Sequence, residues 1–132
     1  MGQPAVVMGD QVLATDIHII MIPAPPGPPV PTPLPHPFVG KITQACSTNV
    51  TIGGKPAATK DSIAQNLPPH IPQGGPFQKP PSNMGKIMMG STTVKINGKP
   101  AARVGDMVQT CADPTDMPGA QIIPSVTNVL IG

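Results

Sequence analysis

The sequence predicts an all-β protein built from short strands and turns, and its composition supplies the main evidence. Val and Ile together occur 24 times, whereas Leu occurs four times and Glu, Trp and Tyr do not occur at all. β-Branched side chains pack well on a pleated strand and lose rotamer freedom in a helix. The 132 residues also include 14 glycines and 21 prolines, which interrupt helices and form turns. A helical bundle is therefore not expected.

One motif occurs three times, and the chain is expected to form a single domain over residues 1–132. Residues 40–61 and 85–106 align with one another: each has a Gly-Lys-Ile start, a Ser-Thr-x-Val-x-Ile stretch and a Gly-Lys-Pro-Ala-Ala segment. The third copy is split between residues 119–132 and residues 1–10: without Met1, the two ends join as Val-Leu-Ile-Gly-Gly-Gln-Pro-Ala. A copy completed by both ends of the chain predicts that the two termini meet.

Each copy predicts a short β-hairpin. The Val-x-Ile alternation places two β-branched side chains on one face of a strand. Asn97-Gly98 and Gly53-Gly54 suit two-residue turns, which require positive φ. A single hairpin is marginally stable in water, whereas three of them around an axis can share a core. A closed pseudo-threefold arrangement is therefore expected rather than an open solenoid, which would expose edge strands.

Three unequal loops are expected between the copies, at residues 11–39, 62–84 and 107–118. In the first of them, nine of the fifteen residues from Pro23 to Pro37 are proline, which predicts a stiff polyproline II segment. A proline-rich adaptor that binds an SH3-like groove through Pro25 and Pro28 is an alternative function. No arginine flanks that segment, so the match to such a ligand is poor.

Charge and hydropathy exclude several classes of partner. The formal net charge is +2, with eight basic and six acidic residues, and the basic residues are scattered. Nucleic-acid binding is not expected, because it requires a basic stripe and usually stacking aromatics. The most apolar run, Ile17–Ile22, is far too short to cross a bilayer. No basic leader precedes an apolar stretch at the N-terminus, so we expect synthesis and folding in the cytoplasm.

Metal-binding side chains are distributed over all three predicted loops. The three histidines of the chain are His18, His36 and His70, and Cys111 lies in the third loop. If the loops converge, three imidazoles and one thiolate complete a tetrahedral zinc shell. The spacing alone leaves a second interpretation open, in which the histidines are simply solvated. Cys46 is expected to be a buried apolar side chain, although it could replace one of the four ligands.

The motif copy at residues 85–106 carries a specific signature. Pro100-Ala-Ala-Arg103-Val-Gly-Asp106 follows Gly90-Ser-Thr-Thr-Val94 and Asn97-Gly98-Lys99. With these residues the chain resembles PAAR-repeat proteins, the tips of type VI secretion systems and related contractile injection machines. The other copies depart from the signature, because they read Pro-Ala-Ala-Thr and Pro-Ala-Val-Val, and Asp61 lacks the preceding glycine.

The resemblance implies a conical β-rich protein whose base sits, as a monomer, on a trimeric β-helical spike (VgrG-like). It implies one structural zinc near the tip, with a His₃Cys shell that corresponds here to His18, His36, His70 and Cys111. The short hairpins are the candidates for the base, through Val50, Ile52, Val94, Ile96, Val129 and Ile131.

The function implied is mechanical: a non-enzymatic tip that caps and sharpens the spike and helps to pierce a target envelope. The protein would be cytoplasmic before firing, then at the tip of the machine, and finally outside the cell or in the target cell. No effector domain is expected, and non-covalent recruitment of an effector stays open. A zinc-dependent hydrolase with water as fourth ligand is the alternative, but without glutamate an aspartate would have to act as base.

Two further roles follow from the turn sequences. Asp10 and Asp106 each come after a glycine and are expected to accept backbone N–H bonds that shape the turn into the following loop. Arg103 is expected to bond neighbouring carbonyls or to pair with an aspartate.

Overall fold

The protein folds entirely from β-strands and turns, which confirms the predicted all-β class. The computed structural model describes residues 2–113, 115–125 and 128–132, and it contains no helix in those ranges. Thirteen strands are present within them. In chain order they are β1 (Gln3–Pro4), β2 (Gln11–Ile22), β3 (Val30–Gln44), β4 (Thr51–Ile52), β5 (Lys55–Pro56), β6 (Ile63–Asn66), β7 (Met84–Ile87), β8 (Lys95–Ile96), β9 (Lys99–Pro100), β10 (Val108–Thr110), β11 (Met117–Pro118), β12 (Gln121–Ile123) and β13 (Leu130–Ile131).

A closed ring of backbone hydrogen bonds joins the three Pro-Ala segments. Val6 N–H donates to the Ala102 carbonyl (3.2 Å), Ala102 N–H to Ala58 (3.0 Å), and Ala58 N–H to Val6 (2.9 Å). A second ring runs in the opposite sense, with donors Met8, Lys60 and Val104 and acceptors Pro56, Pro100 and Pro4, respectively. Within each ring every segment donates to one neighbour and accepts from the other, which gives pseudo-threefold closure without a free edge.

Three short hairpins are connected to the segments of this ring, and one of the three is formed by the two ends of the chain. β4 pairs with β5, and β8 pairs with β9. Their turns have the positive φ that the sequence predicted, at Gly53-Gly54 (60° and 82°) and Asn97-Gly98 (54° and 83°). β13 pairs with β1, with Gln3 opposite Ile131 and Pro4 opposite Leu130. The termini therefore lie side by side, as predicted.

The hairpins enclose a small apolar cluster, called here the base cluster. Its buried members are Ala5, Ala57, Ile96, Ala101 and Ile131, and Val50, Ile52 and Val129 pack against it half-buried. Val94 is 37% exposed. Of the six predicted base residues, two are thus buried, three are half-buried and one is exposed.

The copy at residues 40–61 lacks the glycine that precedes the aspartate in the other two copies, and the structure explains this difference. The turn position with positive φ is occupied by Gly9, Asp61 and Gly105 in the three copies, at 93°, 77° and 96°. Asp61 therefore takes the place of the glycine, and the residue after it takes the place of the aspartate. Ser62 Oγ accepts the N–H of the residue three positions earlier, as the carboxylates of Asp10 and Asp106 do.

The side chains of the turn behave as expected. The Asp10 carboxylate accepts the Val7 N–H at 2.9 Å, and Asp106 accepts the Arg103 N–H at 2.8 Å. The Arg103 guanidinium also pairs with Asp106, with Nε 3.2 Å from Oδ1. Both aspartates therefore fix the turns into the longer loops.

The first predicted loop, residues 11–39, is instead mostly a long β-hairpin. β2 pairs with β3 from Gln11 opposite Lys41 to Ile22 opposite Val30. This hairpin belongs to a seven-stranded antiparallel sheet, in the order β11-β10-β7-β6-β3-β2-β12. The main core packs beneath the sheet and includes Phe38, Ile42, Ile87 and Val108.

The alternating prolines of β3 mark the free edge of this hairpin. On β2, the Ile19 and Met21 N–H groups donate away from β3, to Asp113 Oδ2 and to the Pro76 carbonyl. In an antiparallel pair, two residues directly opposite each other either both direct their backbone N–H and C=O groups toward the partner strand or both direct them away from it. Pro33 and Pro31, which lie opposite them, therefore face the free edge with no N–H to donate. Within the described residues no strand pairs with that edge before Gly40.

We predict that these prolines prevent edge-to-edge association. Replacing Pro31 and Pro33 together by valine restores two N–H donors on an unpaired strand. The expected result is a concentration-dependent increase in molecular mass in sedimentation equilibrium. Thr32→Val is the matched control, because the Thr32 backbone faces β2. Unchanged mass of the double variant over the same concentrations would contradict this role.

Candidate metal centre

Strands and strand ends bring metal-binding side chains together beside the middle of the long hairpin. Asp16 and His18 are two residues apart on β2, so they share one face. His70 follows β6, and Cys111 follows directly on β10. The four side chains are buried, with between 0 and 9% of their surface exposed. Residues that are distant in sequence thus share one interior site.

These four residues form a compact group of donor atoms, called here the four-donor group. Their ligand atoms all lie within 4.8 Å of one another. His70 Nε2 is 2.9 Å from Asp16 Oδ2, and Cys111 Sγ is 3.4 Å from the same oxygen. Cys111 Sγ is also 3.6 Å from His18 Nε2. One imidazole nitrogen from each histidine, a sulfur and a carboxylate oxygen therefore converge.

His36 lies beside the group without joining it. Its ring is buried, and its centroid is 5.4 Å from that of His18 and 5.6 Å from that of His70. Nδ1 is 2.9 Å from the Leu34 carbonyl, and because a carbonyl oxygen only accepts, Nδ1 donates this hydrogen bond. The structure thus brings three of the four predicted ligands into the group and places the fourth in the adjacent shell of rings.

Hydrogen bonds from neighbouring strands hold two members of the group. The Thr110 hydroxyl donates to Asp16 Oδ1 at 2.5 Å. The His70 backbone N–H donates to Asn83 Oδ1 at 2.8 Å, and the Asn66 amide lies 3.3 Å from His70 Nδ1. Because these partners come from β6, the start of β7 and β10, the fold orients the site before any ligand arrives.

Burial shifts the proton affinities of the donors in opposite directions. It lowers the pKa of His18, so this imidazole is neutral near pH 7 and has a lone pair for a metal. Burial, with the nearby Asp16 carboxylate adding to it, raises the pKa of the Cys111 thiol to about 11. A metal must therefore displace the thiol proton, since the thiolate is the ligand form.

The charges around the group favour a cation. Asp16 and Asp113 are both buried carboxylates near His18. The nearest cationic side chain to Asp113 is that of Lys79, with Nζ at 3.6 Å and half of its surface exposed. Uncompensated buried charge is costly, and a divalent ion would offset it. Nitrogen, sulfur and oxygen donors in a four-coordinate set suit zinc. The group can therefore hold a metal ion and is compatible with zinc.

Cys46 stands apart from the site. It is half-buried and packs against the main core, and burial raises its pKa. In the described part of the chain, the four-donor group does not include it.

The sequence analysis did not single out Asp16 or Asp113. A signal for both was present, because Asp16-x-His18 and Cys111-x-Asp113 each have the two-residue spacing that puts side chains on one strand face. Metal-binding histidines commonly donate their second nitrogen to a carboxylate. A search for carboxylates two residues from each predicted ligand would have found both.

Comparison with known protein families agrees with the signature in residues 85–106. In the described residues, no helix has the length and apolar character needed to span a membrane. No curated protein matches the chain. The family model described as the PAAR motif matches residues 78–132, a range that contains the signature, Cys111 and Asp113. The motif belongs to a structural family rather than an enzymatic one. Residues 78–132 of the chain therefore contain a PAAR motif.

Proposed function

We propose that this protein is the non-catalytic tip of a contractile injection machine, such as a type VI secretion system, and caps its trimeric β-helical spike. The observation that carries the proposal is the ring of backbone bonds among Val6, Ala58 and Ala102. It gives one polypeptide three similar faces around one axis. A threefold partner needs such a surface, because an asymmetric one would satisfy only one of its subunits.

The base cluster supplies the contact surface. The three hairpins around it carry equivalent apolar residues, namely Val50, Val94 and Val129, and three isoleucines follow two positions later. Val94 is 37% exposed, and Leu130 on β13 is 60% exposed. Apolar side chains in three related positions match the end of a trimeric β-helix without requiring a charge pattern.

We also propose that one zinc ion stabilises the opposite end. His18, His70 and Cys111 would hold it, with His36 or Asp16 as the fourth ligand. A structural zinc contributes on the order of 10–16 kcal/mol in peptide measurements, and a whole domain is stable by roughly 5–15 kcal/mol. The metal would therefore tie the proline-rich hairpin to the main core, of which Cys111 is a member.

A structural role for the metal agrees with the burial of the site. A catalytic zinc keeps a coordination position open for water or substrate. Here the four donors are buried and in mutual contact. The sequence has no glutamate, and Asp16, the candidate for a general base, is already bonded to Thr110 and His70.

As the tip of such a machine, the protein would move from the cytoplasm to the end of the spike and then out of the cell.

Binding to a trimeric β-helical spike tests the proposal. We expect one chain to bind per spike trimer in light scattering, and Val94→Asp to weaken binding at least tenfold, because it places a charge in an apolar contact. Val39→Asp is the matched control, since Val39 is similarly exposed (44% against 37%) on the sheet. Equal binding by both variants, or binding of three chains per trimer, would contradict the proposal.

A further inference from the structure

Asp113 is buried beside the four-donor group without belonging to it. Its side chain is 2% exposed, and Oδ2 lies 3.5 Å from His18 Nδ1. His18 Nδ1 and Asp113 Oδ1 have no hydrogen-bond partner in the described structure. His18 Nδ1 is thus a buried polar atom without a partner, and a small rotation would bring it within hydrogen-bond distance of Asp113 Oδ2.

We propose that Asp113 is the positioning residue of the metal site, and that it holds His18 in the tautomer with the proton on Nδ1. This inference rests on the zinc site proposed above. With the proton on Nδ1, the lone pair is on Nε2, the nitrogen that lies 3.6 Å from Cys111 Sγ. The carboxylate thereby directs the donor nitrogen of His18 toward the other ligands.

The backbone fixes this carboxylate relative to His18. Asp113 Oδ2 accepts the Ile19 N–H at 2.9 Å, and the Asp113 N–H donates to the Ile17 carbonyl at 2.7 Å. The two bonds bracket His18 on β2, from the residue before it to the residue after it. The position of the carboxylate is therefore set by the strand that carries the histidine, as a tautomer-fixing partner requires.

Asp113 also connects the loop that carries Cys111 to His18 of the four-donor group. It lies two residues after Cys111, so the same short segment supplies one ligand and the partner of another. The Lys79 ammonium lies 3.6 Å from Asp113 Oδ1 and is largely in solvent. This contact leaves Oδ2, the oxygen nearer to His18, to the imidazole and the Ile19 N–H.

Asp113→Asn is the decisive variant, because asparagine keeps the shape and an acceptor for Ile19 while it removes the charge. We expect zinc affinity, measured by competition with a chromophoric chelator, to fall about 10–100-fold. In the zinc-free protein, ¹⁵N NMR of the imidazole should show a smaller population of the Nδ1-protonated tautomer of His18. Asp116→Asn, an exposed aspartate of the same loop, should change neither quantity.

The outcomes separate this inference from the zinc site itself. Zinc affinity of Asp113→Asn equal to that of the unmodified chain would overturn the inference and leave the zinc site standing. A lower affinity with an unchanged His18 tautomer would also overturn it, because Asp113 would then act through its charge and not through the tautomer of His18. If the unmodified chain binds no zinc, the site and the inference fail together.

Discussion

Cys111→Ser is expected to abolish stoichiometric zinc binding and to lower the thermal unfolding midpoint to that of the chelator-treated chain. The reason is that the thiolate is the strongest donor in the group, and Cys111 Sγ touches both Asp16 and His18. Serine is too weak an acid to replace it. Because a structural zinc can contribute as much as the stability of a small domain, we expect a loss of several kcal/mol. Elemental analysis and calorimetry measure the two effects.

Cys46→Ser is the control within the same chain. Cys46 is half-buried, lies against the main core and bonds weakly to the Gln44 carbonyl at 3.9 Å. This variant should keep its zinc and lose at most about 1–2 kcal/mol of unfolding free energy. Zinc retained by Cys111→Ser and lost by Cys46→Ser would show that the sulfur ligand is misassigned.

The same measurement distinguishes the two candidates for the fourth ligand. His36→Gln removes the imidazole that lies beside the group, and Asp16→Asn removes the carboxylate within it. The variant that lacks a ligand should lose zinc affinity by several orders of magnitude, whereas the other should lose it by about 10–100-fold, as expected for an outer partner. Equal and small losses for both would mean that neither completes the shell.

Phe38→Ala is expected to lower the free energy of unfolding by about 3–5 kcal/mol. Phe38 is fully buried in the main core, and two glycines make room for its ring. A β-carbon at Gly40 would lie 2.6 Å from Phe38 Cε1, and one at Gly85 would lie 3.4 Å from Cζ. The ring centroid is also 6.1 Å from that of His70, so the cavity would open next to the metal site.

Denaturant unfolding of the zinc-free and zinc-loaded forms measures this effect. Leu67→Ala is the control, because Leu67 is 59% exposed and its truncation should change the free energy by no more than about 0.5 kcal/mol. We expect Phe38→Ala to weaken zinc binding as well, since the support behind His70 is lost. A loss below about 1 kcal/mol would show that the core closes around the cavity.

The repeats could be predicted because their information is local. Val-x-Ile alternation, Asn-Gly and Gly-Gly turns, and Pro-Ala segments specify a strand, a turn and a second strand within twelve residues. The split copy then required the termini to meet, and β13 pairs with β1 as expected. The histidines and Cys111 could be selected because few side chains bind metals and each loop carries at least one.

Sequence alone thus determined the all-β class, the hairpin turns and the meeting of the two ends, since each depends on backbone preferences of adjacent residues. Tertiary structure decided which long segments pair and which side chains converge. From sequence alone, the prolines of β3 predict an isolated stiff loop. The structure shows that β2 pairs with the other edge of β3, to which the residues between the prolines direct their N–H groups. The roles of Asp16 and Asp113 depend on hydrogen-bond partners that lie about 90 residues away in the sequence. No local pattern encodes a contact across that distance.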